Sequence, residues 1–201
     1  MAETLPGFFE GTGMPDPGWW EALWPEPARV LAQLGIAPRM SVIDLCSGDG
    51  WFTREIAKTA REVIAIDIDA ALLATARVRL AESGLRNCRF VEGDAYGVAD
   101  LVREPAEFVF LANAFHGVPD KPGLARAVHR ALKPAGLFAI VNWHARPSEE
   151  TTVLGTPRGP VAELRMTPQA TIAAVEPSGF TLRQVVQLPP YHYGTLFERA
   201  G

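Results

Sequence analysis

Between residues 40 and 143, short apolar runs alternate with stretches in which apolar residues recur at helical spacing. The runs are "MSVIDL" (40–45), "EVIAID" (62–67), "CRFVEG" (88–93), "FVFLAN" (108–113) and "LFAIVNW" (137–143). Each is nearly continuous in apolar residues, as strands covered on both faces are. Between them Phe52, Ile56 and Ala60, then Leu72, Ala76 and Leu80, and then Leu124, Val128 and Leu132 fall along single helical faces. Asp69 stands where it caps the second of these helices, and Lys133-Pro134 followed by Gly136 ends the third. This alternation predicts βαβ units and a parallel sheet with helices across it.

The last third follows another pattern. In "TPQATIAAVEPSGF", Thr167 is placed as N-cap, Pro168 opens the helix, and Pro177 to Gly179 stop it. "TLRQVVQL" and "HYGTLFERA" then read as two strands joined through Pro189-Pro190-Tyr191. That link is too short for a crossover, so an antiparallel hairpin is expected.

Composition narrows the classes. The chain has 201 residues, 48% hydrophobic and 21% charged, which suits one sizeable core. A net charge of −4 supplies no global basic field for a phosphate backbone, so no nucleic-acid partner is expected. Cys46 and Cys88 lack metal-site spacing and make no disulfide scaffold, which sets a reducing compartment as the expectation. The start "MAETLPGFFEGTG" lacks a basic region followed by an apolar run, and no stretch approaches the ~18 apolar residues of a span. A cytoplasmic protein without membrane partners is therefore expected.

The chemistry centres on "VIDLCSGDGWFT" (42–53), a glycine turn between a strand and a helix start. Such a turn lets backbone approach a ligand and points N–H groups at it, a role that Gly48 and Gly50 fit. Against the dinucleotide pattern G-x-G-x-x-G, the third position is Thr53, and Asp44 and Asp49 would face a pyrophosphate with negative charge. Read instead as acid-x-G-x-G-x-G, the segment supplies Asp44, Cys46, Gly48 and Gly50, with cysteine in place of the first glycine. In this form it resembles the class I S-adenosylmethionine-dependent methyltransferases, in particular small-molecule members of the UbiE-like, type 11 and type 12 kind.

A cofactor with a sulfonium, an ammonium and one carboxylate tolerates acids that would repel a pyrophosphate. Further matches occur in order. Asp67 closes the second apolar run, 23 residues after Asp44, where a carboxylate accepts both ribose hydroxyls. "EGDA" sets Asp94 just past the third run, where the family has an acid near the adenine amino group, and "LKPAGLFAI" resembles its LKPGG turn. The resemblance implies an α/β Rossmann-like doubly wound sheet of order 3-2-1-4-5-7-6 with strand 7 antiparallel. It implies S-adenosylmethionine as cofactor, held by Asp44, Cys46, Ser47, Gly48, Gly50, Asp67, Ile68, Asp94, Ala95 and Asn113. Residues 40–201 form the methyltransferase domain on this reading, and residues 1–39 a helical lid segment.

Methyl transfer needs an oriented nucleophile and, for a protonated one, a base within hydrogen-bond reach. In the implied topology His116 in "NAFHG", His144 in "NWH" and His192 in "PPYHYG" lie at the active rim, whereas His129 lies within a helix. The first three are the candidate catalytic residues, each with hydrogen-bonded packing as the alternative role. They come from separate loops without ligand spacing, so no metal is expected. Asn113 and Asn142 close two strands beside them. DNA-amino methyltransferases carry [DN]-P-P-[YF] after strand four. Here that place reads "NAFH", and the "PPY" at 189–191 falls in the last hairpin.

Two segments flank this rim. Trp20 and Trp24 share a helical face with Leu23 nearby, either packed on the sheet or as an aromatic lid. Residues 145–166 form a long connection of weak periodicity, a candidate lid whose Arg146, Arg158 and Arg165 either meet an anionic substrate or pair on the surface. The expected activity is in-line methyl transfer to a small-molecule acceptor. Alternatives are a non-catalytic cofactor-binding partner subunit and an NAD-dependent oxidoreductase.

Overall fold

The computed structural model describes residues 17–201. The start of the expected lid segment, residues 1–16, lies outside the described residues. Two short helices, α1 (Pro17–Leu23) and α2 (Pro27–Gln33), precede the alternating core: β1 (Ser41–Leu45), α3 (Trp51–Thr59), β2 (Glu62–Asp67), α4 (Ala70–Glu82) and β3 (Cys88–Glu92). A short helix α5 (Val98–Leu101) leads to β4 (Ala106–Ala112), α6 (Lys121–Ala131) and β5 (Leu132–Trp143). After the long connection come α7 (Pro168–Val175), β6 (Phe180–Leu188) and β7 (His192–Arg199).

The seven strands form one sheet of order β3-β2-β1-β4-β5-β7-β6. β1 to β5 pair in parallel, and β7 enters antiparallel between β5 and β6. This is the doubly wound order that the family resemblance implied. Apolar side chains clothe both faces. Leu23, Trp24, Phe52, Ile56, Leu80 and Phe110 pack on one, and Val98, Leu124, Val128, Phe138 and Phe197 pack on the other.

Local signals account for the element ends. Asp69 Oδ1 accepts from the N–H groups of Ala71 and Leu72, and Thr167 Oγ1 accepts from Ala170, so both expected caps are made. Leu73, rather than Leu72, joins Ala76 and Leu80 on the fully buried stripe of α4. Leu132 opens β5 and does not continue the helical face of Leu124 and Val128. Pairing of β4 with β5 jumps from Ala106↔Leu132 to Phe108↔Leu137, so Lys133 to Gly136 form an excursion within the strand.

Candidate functional site

The loop after β1 turns left-handed three times, at Cys46 (φ 57°), Gly48 (φ 54°) and Gly50 (φ 79°). Cysteine therefore adopts a conformation that glycine takes more easily. At Gly50 a methyl group would stand 2.7 Å from Ala76 Cβ, so α3 packs on α4 only through a bare Cα. The expected free N–H groups are engaged within the protein. Gly48 N–H donates to Asp67 Oδ2 at 2.8 Å, Gly50 N–H to the Ser47 carbonyl at 3.1 Å, and Ser47 N–H to the Ile66 carbonyl at 3.0 Å. The two glycines thus shape the loop and tie it to the end of β2. Ser47 Oγ is buried without a hydrogen-bond partner among the described residues.

Three carboxylates meet at this loop. Asp67 closes β2 and also accepts from Asp69 N–H at 3.0 Å; Asp94 accepts from Tyr96 N–H at 2.9 Å, with Ala95 beginning the turn between them. Asp44 is buried within β1, and its Oδ2 accepts from Thr53 Oγ1 at 2.5 Å. Burial raises the Asp44 carboxyl to about 7, against the lowering effect of the Thr53 hydroxyl and with a further push from Asp67. Burial likewise raises Asp67, opposed by the N–H groups of Asp69, Gly48 and Ile68. The Cys46 thiol is raised by burial and then by Asp67, Asp44 and Asp94, which places all three acids around it and leaves the thiol protonated.

Asp49 stands apart from this group. Its carboxylate pairs with Arg79 of α4 at 2.7 Å, so its charge is balanced and gives no argument against a pyrophosphate. Asp44 and Thr53 still depart from the dinucleotide pattern, because the residue at the third glycine position is fully buried and spends its hydroxyl on the acid.

At the ends of β4, β5 and β7 the rim histidines gather. His192 is 1% exposed, its ring between Trp24 (4.4 Å between centroids) and Trp143 (4.2 Å), and neither ring nitrogen has a hydrogen-bond partner among the described residues. Burial holds it well below its usual range, and His144, His116 and Arg165 add to the effect, which brings the three histidines into one neighbourhood. His116, also buried, is held near 4 by burial, against a raising contact with Asn142. Both rings are therefore neutral at pH 7. His144 is partly exposed and bonds Gln187 Oε1 at 3.0 Å. Asn113 adopts φ 58°, and its buried carboxamide has no hydrogen-bond partner among the described residues.

The flanking segments pack closely. Trp20, Leu23 and Trp24 are buried in the core, and Trp24, just past the end of α1, meets Phe52 of α3 edge-on. Residues 145–166 contain an antiparallel ribbon, Thr152–Val153 against Thr156–Pro157, between two short 3-10 turns. Arg165 organises it. Its guanidinium donates to the carbonyls of Pro160, Arg146 and Arg158 and to Thr151 Oγ1, and lies 5.4 Å from the Trp143 ring. Arg165 is thus committed to the segment and does not await an anion, whereas Arg146 and Arg158 are exposed. The sequence signal for this was slight: one arginine in "AELRM" among three in the segment.

The doubly wound sheet, with its acid-ringed glycine loop after β1, defines the class of the fold as a Rossmann-like α/β domain. Residues 42–136 match the family model described as a methyltransferase domain, which supports the resemblance to the class I S-adenosylmethionine-dependent methyltransferases. It is similar to an uncharacterized methyltransferase of Synechocystis, 33% identical over 59% of this chain and 53% of that one. It is also similar to the ubiquinone/menaquinone biosynthesis C-methyltransferase UbiE of Legionella pneumophila, 31% identical over 54% of this chain and 44% of that one. Other relatives are named as methyltransferases of ribosomal or transfer RNA. The chain spans about half the length of the first two relatives. A methyltransferase structure from Aquifex aeolicus shares the fold, with TM-score 0.77 and 22% identity over 92% of this chain and 94% of that one. Among the described residues no helix is long and apolar enough to cross a membrane, and no His, Cys, Asp and Glu group is placed to hold a metal.

Proposed function

We propose that the chain transfers a methyl group from S-adenosylmethionine to a small-molecule acceptor. The observation that carries this reading is the meeting of Asp44, Asp67 and Asp94 around the left-handed Cys46 of the loop. A site with three carboxylates suits a ligand that is cationic and rich in hydroxyls and amines, and disfavours one with a pyrophosphate. The unpartnered Ser47 Oγ and Asn113 carboxamide offer further polar groups that a ligand satisfies. When bound, the cofactor supplies a methyl carbon already activated by its sulfonium.

The residues of this chain do the rest. Asp67 and Asp94 accept the ribose hydroxyls and the adenine amine, Ile68 and Ala95 border the base, and Gly48 and Gly50 set the curvature of the loop. On the acceptor side, His116 and His192 are kept neutral, so each offers a nitrogen that takes a proton from a nucleophile. His144, nearer solvent, exchanges that proton outward. Residues 40–201 form the catalytic domain on this reading, and α1 and α2 in residues 1–39 close its acceptor side.

A small acceptor is favoured over RNA because Arg165, a cation close enough to act on His116 and His192, is consumed within its own segment, and the net charge is −4. The test is to follow labelled methyl from S-adenosylmethionine into a cell extract divided into small molecules and RNA. Label in the small-molecule fraction supports the reading; label confined to RNA refutes it.

A further inference from the structure

We infer that Asp44 distinguishes the cationic cofactor from its neutral thioether product by changing its own charge: it keeps a proton in the ligand-free loop and loses it to solvent when the sulfonium binds. This rests on the cofactor reading above and adds a specificity-determining role for one residue.

The geometry starts from isolation. Asp44 is 3% exposed, inside β1, opposite Ala65 on β2 and Phe110 on β4, neither of which stabilises a charge. From α3 it receives one hydrogen bond, from the Thr53 hydroxyl. From β2 it faces Asp67, from the loop the Cys46 thiol, and from β3 the Cys88 thiol; Asp94 also acts on Cys46. No described ion pair includes Asp44, and Arg79, the cation that reaches the loop from α4, pairs with Asp49. A buried carboxylate with one hydroxyl donor, no cation and a second acid beside it is more stable as the neutral acid.

A cation placed at this loop reverses the balance. The positive charge of the sulfonium compensates the Asp44 carboxylate, the proton leaves for the buffer, and the ion pair so formed adds to affinity. Once the methyl group is gone the sulfur is neutral and only the α-ammonium common to both ligands remains, so the carboxylate loses the sulfonium's share of its counter-charge and the proton returns. The spent cofactor is therefore held less tightly than the fresh one, which favours turnover.

Calorimetry at pH 6.5 in buffers of differing ionisation enthalpy counts the protons. Wild type is expected to release roughly half to one proton per S-adenosylmethionine bound and clearly fewer with S-adenosylhomocysteine. Both ligands carry the same α-amino and carboxyl groups, and Asp44→Asn isolates the side chain. In that variant the extra release vanishes, and the preference for the sulfonium compound over its product falls several-fold. Thr53→Val, which removes the one hydroxyl donor, moves the pH at which release occurs upward and serves as an independent variant. Equal proton counts for the two ligands in wild type, or an unchanged count in Asp44→Asn or an unmoved profile in Thr53→Val, overturn the inference while leaving the cofactor in place. Absence of any S-adenosylmethionine binding overturns the cofactor reading and this inference with it.

Discussion

Arg79 on α4 grips the Asp49 carboxylate in the glycine loop at 2.7 Å, tying two segments thirty residues apart. The pair is largely buried, and the same guanidinium lies 5.4 Å from the Trp51 ring at the start of α3. The loop that ends β1 is therefore held by the helix that follows β2. Arg79→Met leaves a buried acid without its counter-charge and is expected to cost on the order of 3 kcal/mol of stability. Thermal unfolding checks this. An unchanged midpoint would mean that the pair is solvated in solution.

Arg165 has the equivalent role for residues 145–166. Arg165→Met strips its carbonyl and hydroxyl acceptors of their donor, at roughly 2–4 kcal/mol for several unmet buried groups. The loss is expected to be local. Amide hydrogen exchange should quicken across 146–158 while β1, β2 and β4 stay protected, and uniform acceleration would show that the segment is no separate unit.

The neutral His116 predicts a pH dependence with a definite sign. Its folded value near 4 lies below the usual 6.5, so between those limits the unfolded chain binds the proton more readily. Its contribution is present above about pH 6.5 and is lost as pH falls through 4, by about 3 kcal/mol. His192 acts in the same direction, and Asp44, raised to about 7, acts oppositely, favouring the folded state most at low pH. The informative quantity is thus the difference between variants. His116→Asn should unfold with less acid sensitivity than wild type from pH 6.5 to 4, and parallel profiles would place that ring in water.

The strands and both helix caps were legible because they rest on local signals, whereas the sheet order came from the family resemblance. Apolar runs mark strands, Asp69 and Thr167 precede helices, and a three-residue link forces a hairpin. The Asp44, Asp67 and Asp94 constellation was legible as an ordered spacing, although its charge state was not. Whether Asp44 is ionised depends on burial and on Thr53, which the sequence presented only as a misplaced glycine. The pairing of Asp49 with Arg79 joins residues far apart on different elements, and nothing in the local pattern links them. The Arg165 knot was hidden for the same reason, since its acceptors are mostly backbone carbonyls whose direction only the fold sets. Leu132 kept helical spacing yet became strand, because pairing with Ala106 outweighed one more turn.

The central claim is that the acid-ringed loop binds a sulfonium cofactor. Calorimetric titration of wild type and Asp67→Ala with S-adenosylmethionine, S-adenosylhomocysteine and NAD tests it most directly. The account predicts micromolar binding of the first two to wild type, no binding of NAD, and affinity weakened roughly tenfold or more in Asp67→Ala, as loss of a charged acceptor worth about 1.5–3 kcal/mol requires. Preference for NAD, or equal affinity in the variant, would contradict it.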